Sequence, residues 1–465
     1  MKVSERVDVL RRGFTPTFWV ANVLELFERF AYYGSKAVLS IYIADGVGLG
    51  PEMATFLAGS VFNTLLYLLP PLAGTVVDRW GFRRSLALCF SIFCVGYLLI
   101  GLAGLPAGRP LVAALGGPKV YTLVALVVTA IGGSLIKPSV VGTVARTTSG
   151  DSKALGYSIY YMLVNIGGAV GPFLAVPVRE TFGIAYVLVM SSGTTLLLLV
   201  ATLLFFKEPP RPADAPPPAS FGKVLSDMVK VFGNGRFISF LVIFSGFWIM
   251  FWQVFYSLPF YVRDVLRFPR FEIIETVDAW TIILITVAAT ALARKLKPVV
   301  AMTIGFALAT SSWFVMVYAP PALAQVLAWP IVFVMNLVLR LLALLGLPVT
   351  IVDLTPAIAP AALGLMVFAF GEGLQAPRFY EYVAALAPKE QVGTYMGFAF
   401  LPIAIGTFFA GLVAGPLVHH YVEGYKQGLV AHPENMWLVV GAIGIVSTLL
   451  MLLYDRLVAS RKAAA

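Results

Sequence analysis

The densest group of chemically capable residues lies in one apolar stretch near the N-terminus, which holds Glu25, Glu28, Arg29, Tyr32, Tyr33 and Lys36. In a helix, spacings of three, four, seven and eleven bring all but Glu28 and Tyr33 close to one stripe, and those two flank it. Ionisable groups in lipid are costly unless they are paired or face water, so that stripe must face the interior of a helical bundle. Two acids beside one arginine can share a proton and exchange partners, which is the chemistry of a proton-driven switch. A static ion-pair cluster that fixes helix packing is the competing reading. A lone Lys137 in a later apolar segment needs a counter-charge, and two carboxylates beside one arginine leave one to supply it. Arg378 and Glu381, three apart, could form a gate near the cytoplasmic end of their segment or an ordinary intrahelical ion pair. Cys89 and Cys94 sit in an apolar run without ligand spacing and read as packing residues. His419, His420 and His432 all fall near the C-terminus. No metal site is expected, and proton chemistry within the membrane rests on carboxylates.

These residues need a membrane-embedded frame. Of 465 residues, 59% are hydrophobic and 12% charged, against about 45–50% and about 25% in a soluble domain. That excludes an ordinary soluble enzyme, because the apolar excess must face lipid. A spanning helix needs about 20 apolar residues, and twelve segments qualify: 17–44, 54–77, 85–105, 120–145, 154–177, 183–206, 237–261, 273–293, 298–319, 361–387, 391–418 and 435–456. The first is too long and too polar in its middle for a signal peptide. Residues 207–236 begin with the polar, proline-rich KEPPRPADAPPPAS and continue as a basic, weakly amphipathic stretch. They read as a cytoplasmic linker between an N-terminal six-helix bundle (1–206) and a C-terminal one (237–465). With both termini cytoplasmic, 21 of the 33 basic residues fall inside, as the positive-inside rule requires. The net charge of +10 is then an orientation signal in a multi-pass protein of the cell membrane, and nucleic acid is not a partner. Residues 320–360 carry a further apolar run, AQVLAWPIVFVMNLVLRLLALLGL. Counting it as a span would invert every later loop, so an external hairpin, re-entrant piece or interfacial helix is expected, with Arg340 snorkelling to the headgroups. A thirteenth span is the alternative.

The run Glu25-Leu-Phe-Glu28-Arg29-Phe30-Ala-Tyr32-Tyr33-Gly34 matches the ExxERFxYYG signature of the proton-dependent oligopeptide transporter family, a branch of the major facilitator superfamily. Further stretches resemble the same family. GTVVDRWGFRR at Gly74–Arg84 is similar to the superfamily loop between spans two and three. Gly132-Gly133-Ser-Leu-Ile-Lys137-Pro138 is similar to the fourth-span lysine-proline motif. Tyr160-Tyr161-Met-Leu-Val-Asn165-Ile-Gly167 resembles the FYxxINxG motif of the fifth span. Gly371-Glu372, Pro377 and Leu386-Ala387-Pro388 keep the spacing of the tenth-span GExxxxP and LAP pattern.

The resemblance implies an all-α major facilitator fold, twelve transmembrane helices in two six-helix bundles, plus the extra apolar segment between spans nine and ten. It implies that Glu25, Glu28 and Arg29 form a protonation-sensitive network with Lys137. It also implies a substrate site between the halves, with Glu372 taking the peptide amino group, Asn165 the peptide backbone, and Tyr32, Tyr33 and Tyr67 lining the pocket. Each tyrosine alone could equally be a packing aromatic. Three departures stand out. Lys36 replaces the arginine that usually clamps the substrate carboxylate, keeping charge but losing the bidentate fork. Trp252 and Gln253 occupy the region where many bacterial members have a seventh-span glutamate. Asp278 stands where asparagine is typical, and is expected to replace that acid or simply to sit at a helix turn near water. Gly167, Gly168 and Gly171 fit close helix approach. The expected function is symport of protons with di- or tripeptides by a monomer, with no cofactor, no covalent chemistry and no ATP-binding motif. Another small solute such as nitrate, a drug or an organic acid, or a non-transporting receptor or assembly subunit on the same fold, are the rivals.

Overall fold

The computed structural model describes residues 13–149, 151–211, 220–344, 346, 349, 351–387 and 392–459. The four basic residues before the first span, most of the proline-rich linker, Pro388, Lys389 and the last basic residues lie outside that set. The described residues contain helices and no strand. The long helices are α1 (Pro16–Ile41), α2 (Gly50–Leu68), α3 (Pro70–Trp80), α4 (Phe82–Leu102), α5 (Pro118–Thr147), α6 (Asp151–Phe182), α7 (Ala185–Phe205), α8 (Phe221–Phe232), α9 (Gly235–Val265), α10 (Phe271–Ala293), α11 (Pro298–Tyr318), α12 (Pro321–Leu344), α13 (Ala359–Leu386), α14 (Tyr395–Lys426) and α15 (Pro433–Leu457). Helices α2 and α3 bend by 43° about the break before Pro70 and together make one span. With α1, whose four charged residues set it apart, the frame has the expected twelve spans, and α12 is additional. Observed ends differ from the expected ones by a few residues, most at α14, which runs on to Lys426.

Local chemistry sets these elements. The Thr15 side chain caps α1 by accepting the Phe18 N–H at 3.2 Å, with Pro16 at the first helical position. In α5 the helix breaks at Ser134–Leu135, where the ring of Pro138 conflicts with the carbonyl four residues back. Glycines let backbones meet. A Cβ on Gly167 would lie 2.2 Å from Cβ of Arg29, and one on Gly171 would lie 2.9 Å from the Phe30 carbonyl oxygen, so α1 and α6 pack only through glycine. Gly168 is less constrained, since its Cβ would touch Tyr33 at an ordinary 3.5 Å.

Helix ends sort onto two faces. On one face the phenol of Tyr42 reaches the carbonyls of Ile100 and Gly101 at 2.8 Å, and Arg263 bonds Asp45 at 2.6 Å. On the other, the Glu208 carboxylate accepts the N–H groups of Phe82 and Arg83 at 2.9 and 2.7 Å, fastening the start of the linker to the N-terminus of α4. The linker continuation is more amphipathic than its sequence suggests: it forms α8, with Phe221, Leu225, Val229 and Phe232 exposed along one stripe.

The insertion is one continuous 24-residue helix, α12, rather than two short arms, and it is apolar and long enough to cross a membrane. Beyond it, the returning segment 351–358 runs alongside α12 and is not helical. The Asn336 amide bonds both backbone groups of Val352, at 2.9 and 2.7 Å, and Gln325 donates to the Leu354 carbonyl at 2.6 Å. Non-helical backbone at membrane depth is tolerated only when its polar groups are satisfied in this way. Helix α13 then starts beside the end of α11, where Gly364 meets Met316. The excursion therefore begins and ends at one face, and the order of the later spans is preserved.

Candidate functional site: two buried charge groups

The first group is built on α1. Arg29 bonds Glu28 at 2.5 Å and approaches Glu25 at 3.4 Å, and the three residues are 5%, 1% and 0% exposed. Tyr160 of α6 donates to Glu25 at 3.4 Å, and the guanidinium lies 4.9 Å from the Tyr32 ring centre. One oxygen on each glutamate has no hydrogen-bond partner among the described residues. Lys137 feels the charges of Arg29, Glu25 and Glu28 but forms no ion pair with them. Its ammonium rests 5.4 Å from the Tyr67 ring centre and 5.1 Å from that of Phe400. Arg29, Tyr32, Tyr67 and Lys137 line one small crevice. Glu25, Glu28 and Arg29 are thus brought together, while Lys137 stands one step removed, held by rings from α2 and α14.

The second group surrounds Lys36, two turns further along α1. The Lys36 ammonium lies 3.3 Å from the centre of the Phe255 ring and 4.0 Å from that of Trp252. Three acids, Glu275 and Asp278 of α10 and Glu372 of α13, act on it electrostatically, yet none is within ion-pair distance among the described residues. Both oxygens of Glu275, Oδ1 of Asp278 and Oε2 of Glu372 lack hydrogen-bond partners there. Tyr33 of α1 and Tyr161 and Tyr380 of α6 and α13 stand within the field of Glu372. Asn165 turns its amide back to the Tyr161 carbonyl at 2.8 Å. Trp252 stacks on Tyr256 at 5.6 Å and meets Tyr67 edge-on at 5.7 Å, so it forms the wall between the two groups.

Two further residues hold helices together. Gln253 is fully buried and spends its amide on structure, donating to the Ala410 carbonyl at 3.2 Å and accepting from Ser257 at 2.5 Å. It joins α9 to α14 and does not face the Lys36 space. Arg378 pairs with Glu381 in its own helix and donates to the Leu296 carbonyl at 2.5 Å. The pair therefore staples α13 to the α10–α11 turn.

The bridges between early and late helices lie at the opposite face. Arg179 of α6 pairs with the fully buried Glu272 of α10, Arg270 bonds Glu180 at 2.9 Å, and Arg263 bonds Asp45. Deeper in, Tyr32 donates to Asn63 at 3.2 Å, Asn63 to Tyr256 at 2.7 Å, and Tyr256 meets Thr407 at 2.9 Å, a chain from α1 through α2 and α9 to α14. Sequence reasoning missed Glu275 and Glu272, which sit at i, i+3 before Asp278 but fall at the edge of their apolar segment. It also missed Arg179, Arg263 and Arg270, which lie just outside the expected spans 154–177, 237–261 and 273–293. Among the described residues no cluster of His, Cys, Asp or Glu could hold a metal.

The described residues thus form an all-helical bundle with charges buried among its helices. The sequence matches the Major Facilitator Superfamily over residues 22–371, three quarters of its length, and the chain belongs to that superfamily. It is similar to dipeptide and tripeptide permease B of Aliivibrio fischeri, 28% identical over 191 residues, covering 40% of this chain and 36% of the permease. It is also similar to human solute carrier family 15 member 2, 28% identical over 169 residues, covering 35% and 22%. The matched part thus spans about a third or less of these relatives. Among solved structures, a POT family transporter in complex with a thioalcohol-conjugated peptide aligns with a TM-score of 0.68 at 18% identity, covering 94% of this chain and 96% of that one. A peptide transporter in complex with sulfate aligns with a TM-score of 0.68 at 19% identity, covering 96% and 94%. The fold is that of these transporters, and the relatives agree with the motif resemblance to the proton-dependent oligopeptide branch. The chain is a multi-pass membrane protein of a transporter family and not an enzyme.

Proposed function

We propose that the protein is a proton-coupled symporter that imports di- and tripeptides across the cell membrane by alternating access, with both termini cytoplasmic. The observation that carries this reading is the Lys36 group: one ammonium held by aromatic rings, faced by carboxyl groups that no donor among the described residues occupies. A short peptide is a zwitterion, so its carboxylate can take Lys36 while its amino group takes Glu372, with Asp278 and Glu275 alongside. The ring-lined space suits side chains of varied size. Two bundles, 1–206 and 237–465, would rock about this site. The ion pairs of Asp45, Glu180 and Glu272 belong to a state closed at the face opposite the termini. Protonation of Glu25 or Glu28 would loosen Arg29 and shift its balance with Lys137, biasing one state against the other.

Among rival solutes, three carboxyl groups against one ammonium suit an amine-bearing molecule better than an anion such as nitrate. The test is uptake of a labelled dipeptide into proteoliposomes under an inward proton gradient and an inside-negative potential, which is worth about 2.3 kcal/mol per charge at 100 mV. Accumulation should be competed by unlabelled di- and tripeptides and abolished by a protonophore. Competition by neither class removes the peptide reading; uptake indifferent to the gradient removes coupling.

A further inference from the structure

One sizeable cavity is remote from both charge groups. It lies between α12 and the returning segment, has a volume of about 540 Å³, and includes Trp329, Phe333, Asn336, Arg340 and Asp353 in its lining. Arg340 and Asp353 carry opposite charges into this one space, and neither side chain forms an ion pair or hydrogen bond among the described residues. The amide of Asn336 is already spent on Val352. Beside the opening, Trp329 and Phe333 stack at 4.9 Å and are 56% and 50% exposed, and Leu337 and Leu341 continue that apolar strip. Arg340 lies nineteen residues beyond Pro321, about 28 Å along a helix rising 1.5 Å per residue. That is close to the full hydrocarbon thickness of about 30 Å, which places its guanidinium at the headgroup boundary on the side of the chain termini.

We propose that this cavity is a binding site for a phospholipid whose headgroup carries both a phosphate and a primary ammonium, as phosphatidylethanolamine does. Arg340 takes the phosphate through its planar fork. Asp353 accepts N–H bonds from the ammonium, which a quaternary choline headgroup cannot donate. An acyl chain lies along Trp329, Phe333 and Leu337. A purely anionic lipid satisfies Arg340 but meets the Asp353 carboxylate as a like charge. A dipeptide zwitterion shares the charge pattern, but it has no chain for the exposed strip, and the position on the flank of the helix favours lipid.

Native mass spectrometry of the delipidated full-length protein, titrated with phosphatidylethanolamine, phosphatidylcholine and phosphatidylglycerol of matched chains, tests this. Phosphatidylethanolamine should bind at least tenfold more tightly than the other two. Arg340→Ala and Asp353→Asn should each erase that preference, Arg340→Lys should keep part of it, and dipeptide uptake per folded molecule should remain measurable in all three. Equal retention of the three lipids by the wild-type protein overturns the proposal. So does a preference that survives both Arg340→Ala and Asp353→Asn, or displacement of the bound lipid by a dipeptide. A variant that fails to fold is replaced by the other substitution, whose erasure of the preference supports the proposal and whose failure to erase it overturns it.

Discussion

Around Arg29, two carboxylates converge on one guanidinium within hydrogen-bonding distance. Around Lys36, three carboxyl groups stand apart from one ammonium that is held by rings instead. Both groups hang on α1, two turns apart, and both are buried. The first pairs its two carboxylates with one guanidinium inside the protein, so it couples helix packing to protonation. The second leaves donors and acceptors unspent, which is what a site reserved for a charged ligand requires. A buried ion pair contributes little net stability but is costly to break from one side. Substitutions should therefore damage folding in the first group and transport in the second.

The largest effect is expected for Arg29→Ala, which leaves Glu25 and Glu28 buried without their counter-charge. The loss should be about 3–5 kcal/mol, read as a lowered thermal midpoint and absent uptake. Glu28→Gln keeps the packing and should fold, while its uptake loses most of its rise toward acid pH. If Arg29→Ala melts like the wild type, the contrast between the groups fails at its first step.

Next is Lys36→Ala. Removing the partner of a desolvated substrate carboxylate should cost at least about 2 kcal/mol, roughly a thirtyfold rise in the apparent KM at about 1.4 kcal/mol per decade, with the thermal midpoint nearly unchanged. Lys36→Arg should recover binding only as far as the Phe255 and Trp252 rings admit a planar fork. A collapse in stability equal to that of Arg29→Ala would mean that Lys36 is a packing charge.

How far these groups were legible from sequence depends on what each needed. Glu25, Glu28 and Arg29 announce themselves, because charges at helical spacing within an apolar run have few explanations. Lys137 was equally visible, but its seat on Tyr67 and Phe400 depends on helices 70 and more than 260 residues away. Glu275 was hidden because it falls two residues inside the apparent start of a span, where an acid reads as a boundary marker. Gln253 could not be assigned a direction without knowing that α14 packs against its face of α9. The twelve-span frame followed from hydropathy. The path of residues 320–360 did not, because it turns on one amide, Asn336, bonding the backbone of Val352.

A smaller effect separates Glu275 from Asp278. If one of them does the work of a missing seventh-span acid, Glu275→Gln and Asp278→Asn should differ. We expect about a tenfold loss of gradient-driven uptake and a flattened pH profile for one, and a change in apparent affinity alone for the other. Glu275 is the more buried, and both its oxygens are unoccupied among the described residues, so the flattened profile should be its own. A flattened profile for Asp278→Asn alone would return the role to the residue first expected from sequence. Unchanged profiles for both would confine coupling to the Arg29 group.

The smallest effect concerns the closed face. Asp45 is more than half exposed, and its partner Arg263 also bonds Asp264 at 2.6 and 2.8 Å, so Asp45→Asn leaves the guanidinium with a second carboxylate. An exposed pair of this kind contributes about 0–1 kcal/mol, and uptake should change by less than about fivefold. Glu272 is fully buried against Arg179. Glu272→Gln should therefore weaken closure far more, read as a longer distance between spin labels at Val47 and Leu266 in a background lacking Cys89 and Cys94. If Asp45→Asn opened this face as widely as Glu272→Gln, burial would not be what gives an ion pair its hold here. The division between a charge group that folds the protein and one that waits for a ligand would then need another physical basis.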